Sequence, residues 1–456
     1  MASGILLRMF KLKSQTISSI VIGISCLCAW RLLAFTNTYA TNMFFRDEWT
    51  YFAPLFEGKN PWSLIGQQWG LHFLGLILVP SGWLLQWTHW NSRALCFACA
   101  LILVVSSFFA LYLKRKSFDK ISAWDLLIPI IFLNVWQIDT IVEVPDPGYV
   151  IPVLFFMILC DADTSLHSGP RYLWLAILSI VSIFTPTGYV NAISAMVILA
   201  MDTAIQYREK KIRNAVGALS AMTAITMGLA VLLKISQDHS SIELSVQSLL
   251  GWFLFVMSLL SNTVGLDWHF LTQIFSGHYL ADAYCVGAVM LSLIGYCFFR
   301  RIVFSWKVGS LAPPASRLAL WGLVHGITMA FIIAIGRSSW GGLDATQWPR
   351  YYTCLIPLLF GLYLEIDGWE RHTIRTVLLS GMLLLLVTAN IPWPSIRETP
   401  GTHLAIMKRQ WKDCYRKYEN FSFCNQQIDF HFDPGAYPTQ RQLDYLKKNH
   451  LNLFAD

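Results

Sequence analysis

The sequence predicts an all-α polytopic membrane protein of about eleven transmembrane helices, and three observations predict it. Of 456 residues, 55% are hydrophobic and only 13% charged, whereas a soluble domain carries about 25% charged residues. Apolar runs close to the ~20 residues that span a bilayer recur along the chain. Just over half of the 34 Lys and Arg fall in segments that simple alternation makes cytoplasmic, the skew that the positive-inside rule describes. The first observation excludes soluble-enzyme readings. The third accounts for much of the net charge of +7, so membrane lipid is an expected partner and nucleic acid is not.

The elements follow in order. Arg8, Lys11 and Lys13 hold the N-terminus inside, and the first span covers residues 16–38. It runs long and shows no small-residue cleavage site, so it reads as a retained helix and not a signal peptide. The polar stretch 39–70 lies outside. Two apolar stretches follow, 72–90 and 93–113, and Lys114-Arg115-Lys116 closes the second. Were both to cross, that cluster would lie outside, against the rule. The stretch 72–90 carries Pro80 and Gly82, so it is expected to be interfacial or re-entrant on the outer side.

Further spans are expected at about 123–138, 148–160, 172–184, 189–204 and 216–235. Stretches 246–264 and 281–299 repeat the earlier ambiguity. Arg300-Arg301 closes the second, so the second is taken to cross. Spans 318–335, 352–366 and 376–392 complete the set. Residues 1–392 then form a transmembrane domain, and 393–456 form a small extracytoplasmic cap. Within the cap, 439–454 has loose helical periodicity. Cys414 and Cys424 could pair if that side is oxidising. The remaining Cys read as small apolar core residues.

This alternation gathers carboxylates on the outer face. Asp47 and Glu48, within Phe44-Phe45-Arg46-Asp47-Glu48-Trp49, open the first loop. Asp139, Glu143 and Asp146 occupy the second, and Asp344 lies between Arg337 and Arg350. A carboxylate at a membrane face is costly unless solvated, paired or used. Group transfer to a hydroxyl needs a general base, and a departing phosphate needs cations such as Arg. The plainer alternative is that loop carboxylates are solvated and that Arg337 and Arg350 snorkel as anchors. His72, His269 and His278 could be ligands or acid–base groups, although a lone interfacial His is more often structural. Trp340 and Trp348 could stack on a sugar or prenyl group, or simply belong to an aromatic belt.

Taken together, the acidic pair after the first span, Gly336-Arg337 ending a late span, Pro349-Arg350-Tyr351 opening the next, and the outer tail resemble GT-C-type membrane glycosyltransferases. The resemblance is to the bacterial kind that uses polyprenyl-phosphate sugars. It implies that Asp47 or Glu48 acts as base and that Arg337 and Arg350 grip the lipid phosphate. Tyr351, His72, Asp146 and Trp340 would complete the substrate site, and a divalent metal is left open. The implied donor is a polyprenyl-phosphate-linked sugar. The implied acceptor is a cell-surface glycan such as an O-antigen or lipopolysaccharide, or a lipid-linked one, at the inner membrane of a bacterial cell envelope. The chain departs from the pattern after the first loop, where Trp69-Gly-Leu-His72-Phe-Leu has no acidic residue or Arg around its His, and at Pro349, where Ser is usual. A flippase, transporter or polymerase of lipid-linked glycans is the alternative. A transporter would need polar groups near the bilayer midplane, and the spans offer few, such as Arg31, Asn134 and His325.

Overall fold

The computed structural model describes every residue except 1, 70–71, 144–145, 236–245, 264–278, 309–312, 338–345, 347–348, 391–399, 431–438 and 456. The described chain is mostly helical: α1 (Ala2–Tyr39), α2 (Glu48–Tyr51), α3 (Ala53–Phe56), α4 (Gly75–Trp87), α5 (Ser92–Phe118), α6 (Leu127–Phe132), α7 (Pro147–Ser165), α8 (Ser168–Ile183), α9 (Tyr189–Arg208), α10 (Ile212–Ile235), α11 (Val246–Asn262), α12 (Tyr279–Val308), α13 (Pro314–Arg337), α14 (Arg350–Asp367), α15 (His372–Asn390), α16 (Pro400–Tyr418), α17 (Phe421–Ile428) and α18 (Gln440–Lys448). A two-residue antiparallel pairing of Gln68–Trp69 with His72–Phe73 is the described β-structure. Seven helices, α1, α5, α7, α9, α10, α12 and α13, are long and apolar enough to cross a membrane. The chain is a multi-pass integral membrane protein. Met227, Val289 and Leu384 stand exposed on these and neighbouring helices, as side chains do where lipid replaces water.

The first long interruption closes on itself. Ser92 N–H donates to Asn42 Oδ1 at 3.0 Å, and Arg93 Nη2 donates to Asn37 Oδ1 at 2.8 Å. The chain therefore returns at α5 to the place it left at α1. Within this excursion α4 has 13 residues, about 20 Å of helix, and folds back on the turn at Pro61–Leu64. Gly75 makes that contact, since a Cβ there would lie 1.9 Å from the Ile65 carbonyl oxygen. The stretch 72–90 thus begins and ends within an excursion whose two ends meet at Asn42 and Ser92.

The second ambiguous stretch behaves alike. Gly217 packs on Tyr172 and Gly228 on Ile180 and Ile183, so α10 runs parallel to α8. Phe184, just past α8, packs on Phe73, which fixes that end of both helices beside the first loop. The far end of α11 sits at the same end, where Asn262 Nδ2 donates to the Thr346 carbonyl at 2.7 Å. The interval from α10 to the end of α11 begins and ends on one side.

Helices α13 and α14 pack backbone against backbone. A Cβ on Gly322 would lie 2.5 Å from Gly361 Cα. Small residues allow such backbone approach between helices in lipid. Their loop-side ends, Arg337 and Arg350, therefore emerge close together. At the opposite end charges are buried in closed pairs. Lys114 lies 2.9 Å from Asp367 and 3.5 Å from Asp125, Arg171 bridges Asp163 and Asp202, and Arg300 and Arg301 share Glu365.

The C-terminal residues fold onto the first loop. Trp411, Tyr415, Phe430, Leu443, Leu446 and Leu453 share one apolar core with Phe44, Phe45, Trp49, Phe56 and Trp90. Gln442 Nε2 donates to the Trp49 carbonyl at 2.9 Å, and Asn452 Nδ2 to the Trp90 carbonyl at 2.8 Å. Cys414 and Cys424 are disulfide-bonded, tying α16 to α17. The expected 439–454 helix is present as α18 with a Thr439 capping box and a final 3-10 turn.

Candidate functional site

The site forms where α1, α7 and α14 meet the first loop. Arg46 adopts a left-handed backbone with φ of 50°, a turn that costs a non-Gly residue some free energy. That turn folds Glu48 back, so its Oε2 accepts the Phe45 N–H at 2.8 Å. Glu48 is 1% exposed, and its Oε1 has no hydrogen-bond partner among the described residues. A buried, half-satisfied carboxylate is expensive as an anion. Burial accordingly pushes its pKa up to about 8, helped by Asp146 and Asp47 and opposed chiefly by Lys408.

Asp146 caps α7. Its Oδ1 accepts the Gly148 N–H at 2.7 Å, with Pro147 at the first helical position, the residue pattern a helix start favours. Burial raises its pKa to about 6; the Gly148 N–H and Arg350 oppose the rise, and Asp47 and Asp139 add to it. Glu48 and Asp146 face each other across a pocket also lined by Tyr51, Ile77, Leu78 and Ser81, in which about 10 Å³ is open to the centres of water molecules. That is room for about one water.

Arg350 is held by sequence-distant partners. Thr353 donates to Gln137 at 3.0 Å and Tyr352 to the Ile131 carbonyl at 3.0 Å, which pins the start of α14 against the segment after α5. Arg350 Nε then meets Asp139 Oδ2 at 2.9 Å. The same guanidinium is hydrogen-bonded to Tyr149. It also lies within electrostatic reach of Tyr51 and Asp146. Arg337 is the charged neighbour of His72, Tyr189 and Tyr351. His72 stacks on Tyr189 with ring centroids 5.8 Å apart, and burial, then Arg337, lowers its pKa to about 4. It is therefore neutral at physiological pH.

Of the residues singled out from sequence, Asp47, Glu48, Asp146, Arg337, Arg350, Tyr351 and His72 come together at one end, linked through Asp139, Tyr51 and Tyr149. Trp340, Trp348, Asp344, His269 and His278 lie outside the described residues, and so does the side chain of Glu143. Among the described residues no three His, Cys, Asp or Glu side chains gather into a metal-holding group. Two members take their place in the site only through the fold. Asp139 was one carboxylate among several, and only the fold shows it bound to Arg350. Lys408 sits in the polar tail, where its one signal is that it shares an i, i+3, i+7 stripe with Trp411 and Tyr415.

No protein-family model matches the chain, and no curated protein or solved structure is significantly similar to it.

Proposed function

We propose that the chain is a membrane glycosyltransferase that moves a sugar from a polyprenyl-phosphate donor to a cell-surface glycan or lipid-linked acceptor on the extracytoplasmic face. The observation that carries this reading is the convergence of the Asp47-Glu48 pair and Asp146 with Arg350 and Arg337, drawn from residues some three hundred apart, beside one pocket. Glu48, with its pKa near working pH, suits a general base. Asp146, ionising lower, suits orientation of the acceptor or stabilisation of positive charge. Arg350 and Arg337 suit a phosphate. The proposed topology has eleven crossings, with the N-terminus in the cytoplasm and the cap outside, in a bacterial inner membrane. The Cys414–Cys424 disulfide supports an oxidising compartment on the cap side.

A sugar ring needs more room than one water. The reading therefore requires α4, which contributes Ile77, Leu78 and Ser81 to the pocket, to swing aside when donor and acceptor enter. The test is transfer of label from polyprenyl-phosphate sugars by purified protein in nanodiscs, with Glu48→Gln, Asp146→Asn and Arg350→Met alongside. The wild type should transfer, and each variant should lose at least tenfold. Transfer undiminished in Glu48→Gln would remove the base. If lipid-linked sugar instead crosses the membrane unchanged, the protein is a flippase. Impermeant thiol labelling in a background stripped of native Cys checks orientation: Glu57→Cys should label from outside, and Arg371→Cys only after permeabilisation.

A further inference from the structure

The end of the bundle away from the site carries exposed cations besides its buried pairs. Helix α9 begins at Tyr189 beside the site and ends at Arg208, about 30 Å further on. Helix α10 starts at Ile212, and the turn between the two is tight. Lys211 N–H donates to the Gln206 carbonyl at 2.9 Å and Lys210 N–H to the Tyr207 carbonyl at 3.0 Å. This doubly bonded helix ending usually places a Gly at its left-handed position. Here that position is Lys210, with φ of 60°. The turn thus holds out Lys210 and Lys211, which are exposed together with Arg213. Helix α12 ends beside it, since the Arg208 guanidinium lies 4.7 Å from the centre of the Trp306 ring, and Lys307 follows. Residues 207–213 hold one carboxylate, Glu209, and Arg208 meets it at 3.0 Å.

Two plainer readings account for part of this patch. Arg208 and Lys307 sit in the last turns of α9 and α12, where a cation complements the helix dipole. Lys211 and Arg213 flank the start of α10, the helix end at which a cation is disfavoured, so dipole compensation does not explain them. Solvated surface is the other reading, and the neighbouring side chains oppose it. Ile212, Val216, Leu219 and Met227 are exposed at helical spacing along α10, directly beyond the cations. Tyr207 and Trp306 are 70% and 50% exposed beside them. In a chain that crosses the membrane such a stripe faces acyl chains, and aromatic side chains mark the level where chains meet headgroups. We propose that the α9–α10 turn and the end of α12 bind the headgroup phosphate of an anionic phospholipid whose acyl chains lie along the exposed stripe of α10. The occupant is a bilayer lipid and not a soluble anion, because the cations and the apolar stripe are continuous on one helix. Each Lys or Arg at a lipid surface favours an anionic headgroup by about fivefold. The proposal stands whether or not the protein transfers sugars.

The test is the lipid preference of the full-length protein in detergent micelles. Native mass spectrometry reads it, with phosphatidylglycerol or phosphatidylcholine of the same acyl chains added. Wild type should retain phosphatidylglycerol with about tenfold higher affinity or more. In the triple variant Lys210→Gln, Lys211→Gln, Arg213→Gln that preference should fall to within about twofold of unity. In the double variant Lys210→Arg, Lys211→Arg it should persist. Removing two exposed cations of the cap, by Arg441→Gln with Lys448→Gln, should leave it unchanged. Should the triple variant fail to fold, Lys211→Gln alone should lower the preference about fivefold. Equal affinity for the two lipids in wild type would overturn the proposal. So would a preference that survives in the neutral variants, the result expected if these cations serve membrane insertion alone, or one that is lost in the cap variant. Displacement of bound phosphatidylglycerol by millimolar inorganic phosphate would overturn it as well, since the patch would then take a soluble anion.

Discussion

Arg350→Met is the perturbation whose outcome separates packing from binding. Asp139, 6% exposed at its side chain, accepts Arg350 Nε at 2.9 Å, while Arg350 is 21% exposed. Removing one partner of a fully buried pair costs about 3–5 kcal/mol, because a lone charge is left behind. The partial exposure of Arg350 places this case lower, at about 2–3 kcal/mol. Asp139→Asn in the same chain removes the stranded charge, and the double variant should lie within about 1 kcal/mol of wild type, the worth of an ordinary lost hydrogen bond. Equilibrium unfolding in micelles measures all four members of the cycle, and the coupling is the difference between the single costs and the double cost. Donor affinity should behave differently. If Arg350 grips the lipid phosphate, both Arg350→Met and the double variant lose it, since the repaired pair cannot restore a cation. A single variant as stable as wild type, or a double variant no better than the single, would refute the energetic argument. Donor binding restored in the double variant would leave Arg350 a structural residue.

Three further outcomes follow from the same geometry. Gly322→Leu drives a side chain into Gly361 and the Pro357 carbonyl; it should cost about 1–3 kcal/mol or more by overpacking, whereas Gly381→Ala, with open space around its Cβ position, should be nearly neutral. The Glu48 pKa is about 8 in the folded protein against an ordinary 4.5, so its contribution is fully present below pH 4.5 and is lost as pH rises through 8. Glu48→Gln should therefore exceed wild type in stability above pH 8, by about 5 kcal/mol at ~1.4 kcal/mol per unit, and the two should converge in acid; parallel curves would show that Glu48 is not buried as an acid. Arg171→Met leaves buried Asp202 without a cation, while Asp163 keeps Arg317 at 3.6 Å and the Trp321 N–H at 2.9 Å; stability should drop by about 3 kcal/mol, the lower part of the range for breaking a buried pair, while the pH dependence of transfer stays unmoved, and a shifted profile would tie that end to the chemistry.

Much of the architecture was legible because lipid imposes simple demands. The basic clusters within the last turns of α5 and the second half of α12 were the signal for choosing which of two neighbouring apolar stretches crosses, and seven helices are long and apolar enough to do so. The site was legible as a set of residue types at one end, not as pairs. That Arg350 answers Asp139 depends on Thr353 and Tyr352 binding a segment more than two hundred residues earlier, and no local pattern encodes it. The charge pairs at the opposite end were missed for a related reason. Lys114, Asp163 and Glu365 sit at the edges of apolar runs, where sequence reads them as loop anchors. Only packing shows that they are buried and matched. Lys408 was hidden by its surroundings, since one Lys in a tail rich in Lys and Arg carries no mark.

The two ends of the bundle use charge in opposite ways, and this bears on function without help from any topology rule. At the end with Lys114, Arg171 and Glu365, each buried ion meets its opposite within hydrogen-bonding distance, the arrangement that minimises the cost of burial. At the other end Asp47, Glu48, Asp139 and Asp146 gather with Arg46, Arg337 and Arg350. Glu48 Oε1 there has no hydrogen-bond partner among the described residues, and burial raises the pKa of Glu48 and of Asp146. Perturbed carboxyls around a pocket are what a reacting site needs and what a merely structural end avoids. The half-satisfied Glu48 also fits the proposed phosphate-bearing donor. A phosphate would draw Arg350 and Arg337 towards itself, loosen Arg350 from Asp139, and leave the carboxylates more anionic than cationic in their surroundings, which raises the basicity of Glu48 as donor binds.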